Sequence, residues 1–294
     1  MKSIFKNRTV FLLLTLLILI MLTACGGEKS PLGDELSGYQ VVVRGDGVEK
    51  TYTVGEMFAW ENSVFQGAYS TTNNWPASSF YAVEGIRVSV ILEQSGLYES
   101  AKQITFVSPD GYKCSFTREQ LLGTERYYFP GLMEESAEGA MPVEAVLAYS
   151  YIIGSSDLMG LSLARRQSVD LIFGQANVFE HTNVGFVSHI MQIMVSSDEP
   201  ETWKAPTTYP LDGPIRKGST VKFEHPDLNG GYAKLFYTLD GSEPDEFSSM
   251  YNPSTYQPEL TVPITINETT VVKVKVIGLG KKDSETRTFQ FTVQ

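Results

Sequence analysis

The hydrophobic pattern of this chain changes across a proline-containing stretch at residues 199–214, and that change limits what the chain can fold into. After this stretch, apolar residues alternate strictly with polar ones, first over Val272 to Val276 and again over Phe289 to Val293. A period of two indicates strands with one buried face. Several short strands in a row are typical of a β-sandwich. We therefore predict an all-β sandwich over 215–294, preceded by a linker at 199–214.

The region before the linker mixes helix and strand signals, so we predict an α+β domain over 39–198. Thr53 and Glu56 have the spacing of a capping box, in which each side chain binds the backbone N–H of the other residue. This pair predicts a short helix. A second helix, around residues 90–92, should end at Gly96, because glycine readily takes the left-handed conformation of a helix C-cap.

Two segments of this region, Val169 to Phe173 and Val187 to Val195, are apolar on both faces. Strands that are covered on both sides have such sequences, so we predict two buried central strands. His189 lies in the second segment. Its alternation with Met191 and Ile193 predicts a core position for its side chain.

The first 24 residues have the plan of a secretory signal peptide, with three basic residues before a long uncharged apolar run. The motif Leu22-Thr23-Ala24-Cys25 resembles the bacterial lipobox, in which a signal peptidase cuts before a cysteine that carries lipid. An uncleaved membrane anchor is the alternative, although the run is short for a span of about 20 residues. Both interpretations predict an extracytoplasmic protein attached to a membrane. In the first, the lipid on Cys25 is the anchor and residues 25–38 are a tether.

Charge and cysteine content exclude several classes of function. The net charge is −11, and removal of the leader's Lys2, Lys6 and Arg8 leaves −14 for the mature chain. A surface this acidic repels polyanions, so we do not expect a nucleic-acid partner. Only Cys25 and Cys114 are present. If Cys25 is lipidated, no intrachain disulfide can form, and we predict no thiolate metal site.

Five residues are candidates for a ligand cleft, and all but Ser70 have a structural alternative. Paired arginines bind phosphate or carboxylate through their planar guanidinium groups, or form surface ion pairs. A loop aromatic stacks on a sugar or pterin ring, or fills the core. A loop histidine contacts ligand or acts as a base, but no nucleophile motif accompanies it, so we predict no catalytic residue. The five candidates are Ser70, Trp75, Arg165, Arg166 and His181.

The C-terminal region resembles a known module through Tyr237-Thr238-Leu239-Asp240-Gly241-Ser242-Glu243-Pro244, followed by Tyr251 and a Val-Lys-Val strand. This series is similar to the chitobiase/β-hexosaminidase C-terminal type. The resemblance implies an immunoglobulin-like sandwich that accompanies carbohydrate-active and surface domains. It brings no catalytic residues with it.

A second resemblance is carried by Val83-Glu84-Gly85-Ile86-Arg87-Val88, Ile104 to Tyr112, Val169 to Gly174 and Ile190 to Val195. Through these landmarks, residues 38–198 resemble the sulfite-oxidase-type molybdopterin-binding domain, which implies a mixed α+β fold. The members of that family that catalyse oxygen-atom transfer hold molybdenum through a cysteine in one loop. Here that loop, Tyr69 to Trp75, contains no cysteine. Cys114 lies on a predicted strand, where a small buried hydrophobe is expected.

From these features we expect a lipid-anchored binding or scaffold module rather than an enzyme. The expected module has a molybdopterin-domain fold and no cofactor. Its ligand would be a small molecule or a carbohydrate. The alternative is a molybdopterin-dependent oxidoreductase of the sulfite-oxidase type with an atypical metal ligand.

Overall fold

A computed structural model describes residues 31–294; the predicted signal peptide and the predicted lipidation site, Cys25, lie outside the described residues. Helices are few and short here: α1 (Asp34–Ser37), α2 (Val54–Phe58) and α3 (Val88–Ser95). Both predicted helices are confirmed. Thr53 and Glu56 form the full capping box at the start of α2, and α3 ends at Gly96 with a left-handed φ of 76°.

Most of the regular structure is strand. The strands of residues 31–294 are, in chain order, β1 (Gln40–Gly45), β2 (Val48–Thr53), β3 (Val64–Thr72), β4 (Ser78–Arg87), β5 (Gln103–Val107), β6 (Lys113–Thr117), β7 (Arg126–Tyr128), β8 (Met141–Val143), β9 (Val146–Ile153), β10 (Arg165–Ile172), β11 (Gln192–Ser196), β12 (Thr207–Tyr209), β13 (Gly213–Ile215), β14 (Ser219–Glu224), β15 (Ala233–Thr238), β16 (Ser249–Met250), β17 (Ile264–Ile266), β18 (Thr270–Gly278) and β19 (Arg287–Val293).

The N-terminal region contains two larger sheets and the small β7–β8 pair. One sheet has the order β2-β1-β11-β5-β6, in which β1 and β11 run parallel. The other has the order β10-β9-β4-β3 and is antiparallel throughout. The predicted central strand near residue 190 is confirmed as β11, but it begins only at Gln192.

The strand predicted at Val169 to Phe173 is part of β10, which is not central but lies at the edge of its sheet. It is nevertheless buried, because the irregular segment 187–190 covers the open edge. Leu171 forms a bridge with Val187, and the Ile190 N–H donates to the carbonyl of Val169. An edge strand that is covered by a loop is apolar on both faces, so its sequence has the same pattern as that of an interior strand.

His189 belongs to that covering segment, and the prediction of a core position for it was wrong. Its side chain is exposed and its φ is 55°, in the left-handed region. Its backbone N–H donates to the carboxylate of Asp170 at 2.7 Å. The reversal of direction at this residue breaks the alternation on which the prediction rested.

The C-terminal β-sandwich is confirmed. A three-stranded sheet, β12-β14-β17, packs on a five-stranded sheet, β13-β19-β18-β15-β16. Their inward residues form one apolar core, to which the small sheet contributes Val221 and Phe223 and the large sheet contributes Val274 and Phe291.

The proline-containing stretch 199–214 is part of the sandwich structure rather than an extended spacer. It supplies β12 and the start of β13, and the side chain of Trp203 is buried in the sandwich core. Proline is tolerated because strands at sheet edges need not donate every N–H. Residues 35–294 pack as one compact unit, and the division into independently folding domains stays a prediction.

Candidate functional site

A cleft lies between the loop 176–181 and the strands β15 and β16 of the sandwich. It consists of two adjoining cavities of about 280 and 550 Å³. Four side chains line both cavities: Phe179, His181, Phe236 and Met250. We call this feature the His181 cleft. Clefts between packed structural units are frequent places for small-molecule sites.

His181 is held at the cleft by its neighbour Thr182, whose hydroxyl forms a 2.7 Å hydrogen bond with the hydroxyl of buried Thr71. The His181 Nδ1 atom is buried and has no hydrogen-bond partner within residues 31–294. Burial, together with the charge of Lys234, lowers the pKa of His181 to about 3. The imidazole is therefore neutral near pH 7 and offers one donor and one acceptor.

Lys234 on β15 fixes the other side of the cleft. Its ammonium donates to Asn74 Oδ1 at 3.0 Å and to the carbonyls of Asn252 and Pro253 at 3.2 and 3.3 Å. Burial lowers the pKa of Lys234 to about 8. An ammonium group has three donors, and all three are used here. Lys234 thus joins the loop 73–75 to the sandwich, and its charge adds to the effect of burial in lowering the pKa of His181.

The remaining walls of the cleft combine aromatic rings with acidic groups. Phe179 and Phe247 meet edge to face, with ring centroids 6.5 Å apart, and both are exposed at the mouth. The smaller cavity is also lined by four carboxylate side chains. These are Glu119, Glu180, Glu246 and Asp283.

Beneath the same loop lies a closed polar cluster, which we call the Ser70 network: Ser70, Gln175, Arg126 and Glu180. The Ser70 hydroxyl donates to Gln175 Oε1 at 2.6 Å and accepts from the backbone N–H of Phe129 at 3.0 Å. Arg126 donates through Nη1 to both carboxylate oxygens of Glu180, at 2.9 and 2.7 Å. Gln175 Nε2 donates to the Glu180 carbonyl.

Of the five predicted cleft residues, the structure brings together Ser70 and His181, through the segment 175–182, but the two face different surroundings. Ser70 is fully buried and occupied by its partners. Trp75 is exposed and packs against Tyr256 of the sandwich, with ring centroids 6.1 Å apart. It lines a separate recess with Tyr112 rather than the His181 cleft.

The two arginines do not join this site. Arg165 is exposed at the start of β10, and Arg166 stacks on the ring of Tyr151, 3.7 Å from its centroid. Strands β10 and β3 lie at opposite edges of one four-stranded sheet. At about 4.8 Å per strand, three spacings separate the arginines from Ser70 by roughly 14 Å. The sheet order, which the sequence did not reveal, decides this separation.

Cys114 has the surroundings of a packed core residue. Its side chain is buried on β6, and burial raises the pKa of its thiol to about 12. Within the described part of the chain, no group of three or more His, Cys, Asp or Glu residues is arranged to hold a metal ion. No helix in residues 31–294 is long and apolar enough to cross a membrane.

Sequence reasoning missed Lys234 and Phe236 as cleft residues. Four consecutive residues of β15, from Ala233 to Phe236, are buried, so both faces of this strand are covered. A signal was present, because Leu235 and Phe236 place large apolar side chains on opposite faces of a strand. That pattern indicates that something packs on the outer face of the sandwich.

Residues 210–288 match the family model described as the chitobiase/beta-hexosaminidase C-terminal domain. The sandwich is similar to that domain. The match covers less than half of the chain, so it does not assign the remainder. No curated protein sequence matched this chain.

Two solved structures show low similarity over most of the chain. The sulfane dehydrogenase SoxCD from Paracoccus pantotrophus is 9% identical, with a TM-score of 0.33, covering 85% of this chain and 69% of that one. The Spr0440 glycoside hydrolase domain, Endo-D, from Streptococcus pneumoniae R6 is 11% identical, with a TM-score of 0.23, covering 79% and 34%. Similarity at this level does not support an argument about function.

Proposed function

We propose that this protein is an extracytoplasmic, lipid-anchored binding module that holds a neutral, hydroxylated ligand, such as a carbohydrate, in the His181 cleft. The observation that carries the proposal is His181, which lines two adjoining cavities and whose buried Nδ1 has no hydrogen-bond partner in residues 31–294. Buried polar atoms are nearly always paired, so an unpaired one in a residue that lines a cavity points to a partner that a bound ligand would supply after a small turn of the ring.

The chemistry of the walls favours a neutral ligand over an anion. The cationic groups that line the cleft, Lys234 and Arg126, already have hydrogen-bond partners. The acidic side chains Glu119, Glu246 and Asp283 line the same cavity and would repel an anion. Carboxylates accept hydrogen bonds from hydroxyl groups, while aromatic rings bury apolar ligand surface. Sugars present both kinds of surface.

Binding of neutral oligosaccharides of glucose and of N-acetylglucosamine, measured by calorimetry, tests this proposal. His181→Leu and Phe179→Ala should each weaken binding by about tenfold, since one hydrogen bond or one ring contact contributes about 1–1.5 kcal/mol. Tyr209→Ala is the matched control, because Tyr209 is an exposed aromatic residue of the sandwich outside the cleft. Failure of every neutral saccharide to bind, or equal weakening in the control, would refute the carbohydrate assignment.

The membrane anchor is the second part of the proposal and rests on the lipobox residues 22–25. Metabolic labelling with palmitate should mark the wild-type chain and leave Cys25→Ala unmarked. Equal labelling of the two would contradict lipidation at Cys25.

We further propose that residues 38–198 have kept the α+β molybdopterin-domain fold without its metal. In support, Ser70, in the segment where that family places cysteine, is buried and bonded to Gln175 and Phe129. These residues do not fit a thiolate-held metal, which needs a soft sulfur ligand. Elemental analysis of protein exported from a molybdopterin-making host should find no stoichiometric molybdenum. About one molybdenum per chain would favour the oxidoreductase alternative.

A further inference from the structure

The turn between β9 and β10, residues 154–164, exposes three large apolar side chains. Met159 is 80% exposed and Leu163 is 91% exposed, and Leu158 is also exposed. The turn has a defined shape, because Leu161 is buried and its carbonyl accepts a hydrogen bond from the hydroxyl of Ser150. Clustered apolar side chains at an exposed tip commonly mark an interaction surface.

The base of the same turn is cationic. Arg165 is exposed and lies two residues after Leu163, and Arg166 follows it with its guanidinium bound to the carbonyl of Tyr151. The turn also contains one acidic residue, Asp157, whose carboxylate accepts a hydrogen bond from the Met159 N–H at 2.9 Å. The apolar side chains above a basic base match the boundary between lipid chains and phosphate headgroups. The whole chain is acidic, with a net charge of −11, so the protein as a whole is not attracted to an anionic membrane. Only the basic residues at this turn favour contact with phosphate headgroups.

The chain enters the folded unit beside this turn. Gln167 Nε2 lies 3.3 Å from Glu35 Oε2, close to the start of the described residues. Gln167 is four residues from Leu163, which limits their separation to about 14 Å. Cys25 is ten residues before Glu35, so covalent geometry holds a lipid on Cys25 within about 35 Å of Glu35.

We propose that the turn 154–164 inserts Leu158, Met159 and Leu163 into the surface of the membrane that carries the Cys25 lipid, with Arg165 at the phosphates. This inference rests on the lipidation part of the proposed function and is independent of the carbohydrate ligand. Insertion would give the protein a second point of membrane contact. It would therefore fix the orientation of residues 35–294 relative to the bilayer.

Site-specific fluorescence in the full, exported chain tests this inference. Met159→Cys is labelled with an environment-sensitive fluorophore and reconstituted into vesicles of phosphatidylethanolamine and phosphatidylglycerol containing nitroxide-labelled lipid. Leu211→Cys is the matched control, since Leu211 is also apolar and 78% exposed, but lies in the sandwich. Buried Cys114 should contribute little background labelling, and acylated Cys25 none.

The label at position 159 should shift its emission to the blue and lose most of its intensity, while the label at 211 should change little. Adding Leu158→Ser and Leu163→Ser should remove most of the quenching at 159. Equal quenching at both positions, or none at 159, would overturn the inference. Self-quenching at 159 that depends on protein density and not on the nitroxide lipid would identify the turn as a contact between copies, and would also overturn it.

Palmitate incorporation, measured in the same preparation, separates the two proposals. A lipidated chain with an unquenched label at 159 contradicts insertion alone. If palmitate is absent, the anchor is contradicted, and nitroxide quenching at 159 after addition of the same vesicles still decides insertion.

Discussion

The Ser70 network and the His181 cleft use the same short segment, residues 175–181, in opposite ways. On one side, Gln175 and Glu180 are linked to Ser70 and Arg126, and the hydrogen bonds close on one another. On the other side, the Nδ1 atom of His181 is buried without a partner in the described part of the chain. Paired buried groups stabilise a fold, whereas an unpaired one costs stability unless a ligand satisfies it. The contrast distinguishes the Ser70 network from the proposed binding site.

The two regions also differ in the partners of their buried cationic side chain. Arg126 is paired with a carboxylate and stacks over Phe173, 5.2 Å from the ring centroid. Lys234 instead has neutral amide and carbonyl partners, and burial lowers its pKa to about 8. A cation without a counter-ion in its shell projects its field outwards, and here that field reaches His181.

The largest expected effect is a loss of stability when the Ser70 network is broken. Arg126→Met should lower the free energy of unfolding by about 3–5 kcal/mol, because it leaves the Glu180 carboxylate poorly compensated beneath the loop. Urea unfolding of the variant measures the loss. Lys273→Met, at the exposed Lys273–Glu243 pair, is the control and should cost at most about 1 kcal/mol. Equal losses in the two variants would remove the distinction between a closed network and ordinary surface pairs.

Ser70→Ala should cost about 2–3 kcal/mol, since it orphans both the Phe129 N–H and Gln175 Oε1 inside the fold. Ligand binding at the His181 cleft should remain, because Ser70 faces its protein partners. Unfolding and calorimetric titration of the same variant give both values. Lost binding with unchanged stability would place Ser70 in the ligand site instead.

The pH dependence of stability tests whether the imidazole of His181 is neutral in the cleft. The pKa of His181 is about 3 in the folded state, against an ordinary value of 6.5 for histidine, so the unfolded chain takes up a proton first as the pH falls. Protonation of His181 in the unfolded chain therefore lowers the free energy of unfolding below about pH 6.5, by about 2 kcal/mol between pH 7 and pH 5. His181→Gln should lose about 2 kcal/mol less than wild type over this interval. Parallel losses in both proteins would contradict a buried, neutral imidazole.

The smallest expected effect is at Cys114, which lies on β6 beside the Tyr112–Tyr232 hydrogen bond. Cys114→Ser should change the free energy of unfolding by about 1 kcal/mol or less, because the volume is nearly kept and a hydroxyl donor is gained. In the folded wild type, the high thiol pKa should block reaction with thiol reagents until urea unfolds the chain. Rapid labelling of folded protein would contradict this burial.

Local signals in the sequence were sufficient for several elements. The capping box of Thr53 and Glu56, the helix end at Gly96 and the strands of the sandwich all follow from patterns within a few residues. Such patterns succeed because helix caps and strand faces are decided by neighbouring residues and by the period of the backbone. For the candidate site, this local information identified His181 but not its surroundings.

The tertiary structure alone decided which residues share a site. Ser70 and Gln175 are 105 residues apart in the chain, and Lys234 and Asn74 are 160 apart. No local pattern specifies such pairs. The sequence by itself determined several of the elements, the acidic charge and the predicted anchor at Cys25. Sheet order and packing determined that Ser70 is structural, that the arginines stand apart, and that His181 is desolvated, because burial and electric fields depend on groups brought together only by the fold.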